Sequence, residues 1–534
     1  MSDAALAADN YATALAARRQ GDLKAALSGF LMALALAPEH PAYRREALSI
    51  LGIVSGYKTL PAPVLNALRG AVSDPALDVQ PLSLVVRNII EGDDRFAGVE
   101  ATLAGAADLI EHQIDNGAWD WLLNEPLLHG VLARAILIGN RLEAVFTKLR
   151  RHLLLHPSTA LIIRHERLLI ALALHGNTTR FPWAETPEET QRLATAAPGL
   201  AQSLYRPLAS LPDAGSLPEV LRLARDAQLE AKERASFFPA LTPVDDDTSR
   251  KVQAQYEQFP YPPWDAIADA SPTTLNEFAK ARFPQIPFNV PEPLMLSAGC
   301  GTGRGAVMLG LTFPAAKIIA FDLSRPSLVY AAMKAEQHGL RSIAFGVGDI
   351  LKIGDLGDQF DLIESSGVIH HMKDPAAGLR ALAEVLKPGG LIRLGLYSER
   401  GRSAVIVARA LIASSRIPDT DDGVRQARQA LMALPLNHPA RGVIDTPEFF
   451  TLDGLHDLIF NVQESRYTPL QLKVLIASAG LTFLGFDTDA PVKAAYARAF
   501  PNDAHGVDLD NWERFEQNQP QAFAEMYQLW CYKV

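Results

Sequence analysis

The distribution of apolar positions divides the chain into two halves of different character. Over residues 1–240 apolar side chains recur with the spacing of amphipathic helices, and strand-like alternation is scarce. From residue 291 onward short apolar runs alternate with helical patterns, which is typical of parallel strands joined by helices. A polar, proline-bearing segment at 241–248, LTPVDDDT, lies between them. The pattern predicts a multidomain protein with an all-α domain over 1–240, a linker over 241–290 and an α/β domain over 291–534.

One helical stretch near the start has a repeat signature. The spacing of Gly21, Ala26, Phe30, Ala33 and Pro38 resembles the second half of a tetratricopeptide unit. In such a unit small residues let two helices approach, and proline ends the second helix. Because repeats of this kind need neighbours to bury a continuous core, both a tetratricopeptide-like array and an irregular helical bundle fit residues 50–240.

A glycine-rich turn follows the first apolar run of the α/β half. The run 294–296 stops at a turn that contains Gly299, Gly301 and Gly303, and a helical pattern follows at once. Glycine is needed where the backbone takes positive φ or a ligand lies against its amides, and a helix start suits a carboxylate or phosphate. Gly301-x-Gly303-x-x-Ala306 also satisfies the dinucleotide fingerprint, so the turn alone does not choose between cofactors.

The segments after the turn narrow the choice of cofactor. The strand KIIAFD ends in Asp322, about 20 residues beyond the glycines, and the strand IAFGVGD ends in Asp349. The segments GVIHHMKDP and LKPGGLIRLGLY follow in order. With AGCGTG and FDLS, they resemble the class I S-adenosylmethionine-dependent methyltransferases over residues 291–398. The resemblance implies a Rossmann-like fold of seven strands with S-adenosylmethionine as cofactor and no metal.

The resemblance also implies which residues bind the cofactor. The glycine turn would lie under the methionine moiety, Asp322 would accept hydrogen bonds from the ribose hydroxyls, and Asp349 would accept one from the adenine amino group. The whole implied set is Gly299, Cys300, Gly301, Gly303, Asp322, Leu323, Asp349, Ile350, Ser365 and Gly367. The family often has an acid near Ser297 and this chain has none, so backbone carbonyls or the aromatic segment 253–266 are expected to bind the methionine amino group.

Two adjacent histidines follow the fourth predicted strand. A pair like His370-His371 is common at this place in small-molecule methyltransferases, near the transferred methyl group. Histidine titrates near neutrality and suits a general base. The alternative is structural, since these side chains would equally cap the next helix or line the cofactor wall.

An aromatic, proline-rich segment, QAQYEQFPYPPWDA, precedes the α/β domain at 253–266. Its prolines predict a stiff extended conformation that holds Tyr256, Phe259, Tyr261 and Trp264 in fixed directions. Similar segments precede the catalytic domain in tetratricopeptide-linked methyltransferases. The resemblance favours a lid in which Tyr256 and Tyr261 contact the cofactor, and the alternative is a packed linker.

The chain departs from the ordinary fold after the strand LIRLGLYS, where residues 399–465 are inserted. An insertion at the carboxyl ends of the strands predicts a substrate cap, because open α/β sheets bind ligands there. The arginines of its first part could grip an acidic substrate, but such residues more often form a solvated helix face, which we predict for most of them. They are Arg400, Arg402, Arg409, Arg416, Arg425 and Arg428.

The amino-acid composition argues against several other classes of protein. The net charge of −10 over 534 residues argues against a nucleic-acid surface spread over the molecule. Two cysteines, Cys300 and Cys531, make neither a disulfide scaffold nor a cysteine metal site and suit a reducing compartment. The chain start lacks a signal-peptide pattern, and the apolar stretch 25–38 is too short to span a membrane. We expect a cytoplasmic protein without a membrane partner.

Four functions remain open. The first is a methyltransferase that acts on a protein or peptide side chain or a polar small molecule, with the helical half contributing to substrate binding. The second is a small-metabolite methyltransferase in which that half serves oligomerisation, for example as a homodimer. The third is a nicotinamide-dependent oxidoreductase, and the fourth is a non-catalytic interaction protein.

Overall fold

The computed structural model describes residues 2–54, 58–105, 107–196, 199–211, 215–258, 262–267, 270–503, 505–524 and 526–534. The described part of residues 1–234 contains helices as its only regular elements, as the sequence predicts. They are α1 (Asp3–Arg19), α2 (Leu23–Leu36), α3 (Pro41–Ile53), α4 (Ala62–Ala71), α5 (Leu82–Glu91), α6 (Phe96–Leu103), α7 (Ala107–Asp115), α8 (Asp120–Leu123), α9 (Pro126–Arg134), α10 (Asn140–Leu155), α11 (Thr159–Thr179), α12 (Pro187–Thr195), α13 (Leu200–Ser203) and α14 (Glu219–Arg234).

The first two helices form the pair that the repeat signature predicts. Asp22 caps α2 by accepting from the Ala25 amide, and Gly21 turns the chain between the helices with a φ of 80°. Phe30 is fully buried between them and the following helices. The tetratricopeptide-like nature of this pair and of the later helices stays a prediction.

The second half is built on one mixed sheet. Its strands are β1 (Leu294–Ala298), β2 (Lys317–Asp322), β3 (Ile343–Val347), β4 (Phe360–Ser366), β5 (Leu386–Ser398), β6 (Arg466–Tyr467), β7 (Leu481–Phe486) and β8 (Tyr527–Lys533). Their order is β3-β2-β1-β4-β5-β8-β7, with the two-residue β6 paired to β5 beside this path. Only β8 runs antiparallel to its neighbours β5 and β7. The arrangement is that of a Rossmann-like methyltransferase domain.

Helices flank the sheet and form the insertion. They are α15 (Asp247–Gln258), α16 (Leu275–Arg282), α17 (Arg304–Thr312), α18 (Arg325–Gln337), α19 (Pro375–Val385), α20 (Ser403–Ser414), α21 (Asp421–Met432), α22 (Leu452–Phe460), α23 (Pro469–Ser478), α24 (Ala490–Ala499) and α25 (Leu509–Asn518). Short 3-10 helices lie at Leu208–Ser210, Ala235–Phe237, Ile350–Leu356, Ile369–His371, Pro439–Val443, Pro447–Phe450 and Pro520–Phe523.

Two predictions of local structure are wrong. The aromatic segment is not extended throughout, because α15 continues to Gln258 and carries Tyr256. The predicted turn after α19 lies inside β5, where Gly389 takes a φ of 81° and the register to β4 shifts. In both places a proline or glycine affects only its immediate neighbours, so the regular element continues up to it or past it.

The helical half packs against the insertion. Ile136 and Ile138 share an apolar cluster with buried side chains of α20, α21 and α22. The buried Arg428 guanidinium pairs with both carboxylate oxygens of Glu143 and stacks on the Phe449 ring. The insertion is therefore held between the sheet and the N-terminal helices.

Candidate active site

A cavity of about 960 Å³ lies at the carboxyl ends of the parallel strands, beneath the insertion. Residues that end or follow β1, β2, β3, β4 and β5 line one side, and residues of the insertion line the other. Among the described residues that line it, none precedes Asp246. The carboxyl edge of an open α/β sheet is where ligands of such folds bind.

The glycine turn forms the floor of the cavity. Gly299, Gly301 and Gly303 have φ of 70°, 52° and 85°, in the left-handed region that glycine adopts without strain. A Cβ atom on Gly299 would lie 2.5 Å from a methyl group of Val368, so the turn also has no room for a side chain there. Gly303 directly precedes α17 and leaves the helix N-terminus facing the turn.

Asp322 connects the turn to the end of β2. One carboxylate oxygen accepts the Gly301 amide at 2.8 Å, and the other accepts the Ser324 amide at 2.8 Å. Burial raises the pKa of Asp322, and the two amides oppose that shift. Each oxygen retains a lone pair for a further donor, which fits the predicted ribose contact.

Asp349 lies after β3 on the same wall. Its Oδ1 atom accepts from the Leu351 amide at 3.0 Å, whereas its Oδ2 atom is buried without a hydrogen-bond partner in the described part of the chain. A buried unpartnered carboxylate oxygen is costly unless a ligand donates to it. The predicted adenine amino group would satisfy it, so the residues present fit the predicted cofactor.

A buried acid does lie beside Ser297, on the neighbouring strand β4. The Ser297 hydroxyl donates to Glu364 Oε2 at 2.9 Å, and the two residues are partners in the parallel register of β1 and β4. A Cβ atom on Gly305 would lie 2.7 Å from Glu364 Oε2, which places the carboxylate against the first turn of α17. Burial raises the pKa of Glu364, while Arg393 and Ser297 lower it. A buried acid thus lies next to Ser297 on β4, although it is not among the residues that line the cavity.

The two histidines contact each other. Their Nε2 atoms are 3.0 Å apart, and His371 Nδ1 lies 2.7 Å from the Gln463 carbonyl. A carbonyl only accepts, so His371 carries its proton on Nδ1 when neutral, and its Nε2 accepts from His370. Burial lowers the pKa of His370 well below its usual value, with further lowering from His371 and Arg402. In this arrangement His371 presents no free unprotonated nitrogen to the cavity, whereas the Nδ1 atom of His370 is buried without a hydrogen-bond partner in the described part of the chain, and His370 does not line the cavity. The base role stays a prediction.

The aromatic segment closes one side of the cavity. The Tyr256 hydroxyl donates to Asp457 Oδ1 at 2.7 Å, and the Ser324 hydroxyl donates to the Tyr256 carbonyl at 2.9 Å. Burial raises the pKa of Tyr256 well above its usual value, and Asp457 raises it further. Trp264 donates from its indole nitrogen to the Thr302 carbonyl at 2.9 Å. The described residues on both sides of 259–261 are therefore packed on the catalytic domain.

The end of β5 and the insertion together supply a second group of polar residues, which we call the cap wall: Tyr397, Arg402, Asp445, Glu448 and Asp457. Tyr397 ends β5, and the Arg402 guanidinium lies 3.8 Å above its ring. Arg402 also donates to Glu464 at 2.7 Å. Burial raises the pKa of Tyr397 above its usual range, so its hydroxyl stays protonated.

The prediction of a solvated face for the six arginines is wrong for five of them. Arg400 pairs with Glu513 and Glu516, and Arg409 donates to the Asn461 carbonyl at 2.7 Å. Arg402 and Arg428 are buried, and Arg425 donates to the Phe181 carbonyl at 2.9 Å. Only Arg416 is exposed. Because the insertion packs between two other parts of the chain, most of its cations are enclosed by partners.

The cavity gathers most of the predicted site residues. Those that line it are Tyr256, Gly299, Cys300, Gly301, Asp322, Leu323, Asp349, Ile350, Gly367 and His371. Gly303, Ser365 and His370 lie behind this lining, with Ser366 facing the cavity in place of Ser365. Tyr261 lies outside the described residues. The cap wall was not predicted apart from Arg402, because its residues have no motif.

The residues that the structure describes contain no group of three or more histidine, cysteine, aspartate or glutamate side chains placed to hold a metal ion. No helix among them combines the length and apolar character needed to cross a membrane.

Comparison with known proteins identifies the domain around the cavity. Residues 295–390 match the family model described as a methyltransferase domain. A curated relative, an uncharacterized protein of Synechococcus sp., is 33% identical over 279 residues, which cover 49% of this chain and 64% of the relative. A ubiquinone biosynthesis O-methyltransferase of Ruegeria pomeroyi is 30% identical over 168 residues, or 31% of this chain and 57% of the relative. The chain thus spans less than two thirds of the length of either.

A solved structure, PKMT2 from Rickettsia typhi, is similar over 50% of this chain and 55% of its own, with 17% identity and a TM-score of 0.37. The match of residues 295–390 decides the choice that the glycine turn left open. The turn, Asp322 and Asp349 lie within the matched residues of a methyltransferase domain whose cofactor is S-adenosylmethionine, and their own contacts to that cofactor stay predictions.

Proposed function

We propose that this chain, which carries a class I S-adenosylmethionine-dependent methyltransferase domain, transfers a methyl group to a polar acceptor bound between the glycine turn and the cap wall. The acceptor is a protein or peptide side chain or a polar small molecule. The observation that carries the proposal is one continuous cavity lined by both groups of residues. Asp322, Asp349, Tyr397, Glu448 and Asp457 all line this cavity. We assign the first two to the cofactor and the other three to the acceptor.

The chain's own residues act mainly by binding and orientation. When bound, the cofactor supplies an electrophilic methyl group on a sulfonium. Asp322 and Asp349 fix the nucleoside end through hydrogen bonds, and the N-terminus of α17, which follows the glycine turn, attracts the carboxylate end. The cap wall and Tyr256 exclude water and hold the acceptor in line, which is the main requirement of such a displacement.

The helical half contributes through the cap. Its contacts to α21 and α22, including Glu143 with Arg428 and Arg180 with Asp453 at 2.8 Å, hold the insertion from the side opposite the cavity. A larger acceptor would extend from the cavity onto the helical surface, where binding energy remote from the reacting atoms aids positioning.

Calorimetry and label transfer test the proposal together. The full chain is titrated with S-adenosylmethionine, S-adenosylhomocysteine and NAD, and is then incubated with cell extract and methyl-labelled S-adenosylmethionine. We expect saturable binding of the first two compounds, no binding of NAD, and label in an extract component only when the chain is present. Cofactor binding without any label would leave a non-catalytic interaction protein as the better explanation.

A substitution at the contact between the helical half and the insertion tests whether the helical half takes part in acceptor binding. Glu143→Ala leaves the buried Arg428 guanidinium without its carboxylate, which costs roughly 3–5 kcal/mol for a buried pair. We expect weaker acceptor use with near-normal cofactor affinity. Arg151→Ala, which removes an exposed pair with Glu188 away from the insertion, is the matched control. Unchanged acceptor use in a folded Glu143→Ala protein would show that the helical half does not affect acceptor binding through the insertion.

A further inference from the structure

The cap wall carries more negative than positive charge. Asp445, Glu448 and Asp457 all line the cavity. The cation of the wall, Arg402, lies 2.7 Å from the buried carboxylate of Glu464 and is neutralised by it. The wall therefore presents three carboxylates to the acceptor position against one cation that is already paired.

Two of these carboxylates have no partner in the described part of the chain. Asp445 and Glu448 form no side-chain hydrogen bond or ion pair there; Asp445 is exposed, and Glu448 is half-buried. Asp457 accepts from Tyr256 and from the Asn461 amide group through its Oδ1 atom alone. Carboxylates grouped beside a cavity repel one another unless a cation joins them. Their arrangement favours a positively charged ligand.

The remaining polar groups are poor bases for a hydroxyl acceptor. A hydroxyl needs a base that removes its proton as the new bond forms. The Nε2 atom of His371 is occupied by His370, and the Tyr397 hydroxyl stays protonated beside Glu448 and Asp457. An amine needs no such base once it has released one proton, because its nitrogen then carries its own lone pair.

We infer that the acceptor is an aliphatic amine, which enters as an ammonium group held by Glu448, Asp457 and Asp445; this rests on the proposed methyl transfer. The ammonium releases one proton to solvent water at the exposed Asp445 carboxylate. Its lone pair then forms the bond to the methyl carbon while the carbon–sulfur bond breaks and its electron pair returns to sulfur. The product is a methylated amine, which is again cationic, and a neutral thioether. No further reactant is consumed.

The chemical form of transferred label tests this inference. The full chain is incubated with methyl-labelled S-adenosylmethionine and cell extract, and acid-precipitable and acid-soluble fractions are analysed separately. We expect the label in an N-methyl amine that is stable to base. If the acceptor is a lysine side chain, this amine is found in the precipitable fraction after hydrolysis. If the acceptor is a free amine, it is found in the soluble fraction. Base-labile methyl esters or O-methyl ethers would overturn the inference and leave the proposed function intact. No label in either fraction would contradict the proposed function itself.

A matched pair of variants tests the role of Glu448. With the labelled fraction used at serial dilutions, Glu448→Gln should need at least about tenfold more substrate for half-maximal rate, since a charged contact is lost. Its maximal rate should stay within about twofold, and calorimetry should show unchanged S-adenosylhomocysteine affinity. Glu399→Gln, which removes a carboxylate paired with Arg466 on the same insertion, is the control. Equal substrate dependence of the two variants would overturn the assignment of Glu448.

Discussion

The Tyr256 hydroxyl donates a 2.7 Å hydrogen bond to Asp457 and so joins α15 to α22 across the cavity. Tyr256 comes from the segment before the methyltransferase domain, and Asp457 comes from the insertion after β5. Both side chains are at the boundary between the cofactor position and the cap wall. This hydrogen bond closes the cavity at that boundary, and it connects two residues that lie 201 positions apart in the sequence.

Tyr256→Phe should loosen this closure. The change leaves Asp457 with one donor fewer in a buried place, at a cost of about 1–3 kcal/mol. We expect roughly tenfold weaker cofactor binding in calorimetry and faster hydrogen exchange in α15 and α22.

Tyr496→Phe is the control for that prediction, because it removes a tyrosine–aspartate hydrogen bond to Asp503 outside the cavity lining. If the Tyr256→Phe protein has the hydrogen-exchange rates and the cofactor affinity of wild type, the aromatic segment is a linker and not a lid.

Gly305→Ala should disturb the acid that lies beside Ser297. The new Cβ atom would lie 2.7 Å from Glu364 Oε2, and the carboxylate would have to leave its position against α17. We expect a loss of about 1–3 kcal/mol of stability, measured by denaturant unfolding, together with weaker cofactor binding.

Gly354→Ala has no atom within 4 Å of its new Cβ and serves as the control. Cofactor affinity that is equal in the two variants would show that Glu364 has no part in shaping the glycine turn.

Asp453 should make stability depend on pH. Burial raises the pKa of its carboxyl from 3.8 to about 7, although the Arg180 guanidinium lowers it. The folded state therefore binds this proton more tightly than the unfolded state, so stability is greatest at low pH and falls as pH rises from about 4 through about 7. The difference between the two pKa values amounts to roughly 4 kcal/mol at most.

Asp453→Asn removes the titrating proton of this carboxyl. The fall in stability between pH 5 and pH 8, followed by thermal unfolding, should therefore be smaller in the variant than in wild type. The variant should then be relatively more stable at pH 8 than at pH 5, compared with wild type. A wild-type curve with the same slope as the variant would mean that Asp453 is charged throughout.

The cofactor half of the site could be predicted because it follows from short-range order. Asp322 ends β2 and Asp349 follows β3, and strands that run parallel bring their carboxyl ends to one edge. The glycines between β1 and α17 mark the same edge. These residues lie within about 50 positions of one another, so their placement needs only the order of the elements.

The acceptor half could not be predicted in the same way. Glu448 and Asp457 belong to an insertion whose helices are positioned by contacts with both other parts of the chain, such as Arg428 with Glu143. Glu364 is an acid within an apolar strand, and only the register with Ser297 shows its role. Long-range contacts of this kind leave no periodic signal in the sequence.

The most direct test of the central claim is a calorimetric titration of S-adenosylmethionine into the wild-type chain and Asp322→Ala. The carboxylate would accept two ribose hydrogen bonds, each worth roughly 1.5–3 kcal/mol. The account predicts saturable 1:1 binding to wild type, and at least about hundredfold weaker binding to a variant that remains folded by circular dichroism. Wild-type affinity in folded Asp322→Ala would contradict the placement of the cofactor on the end of β2.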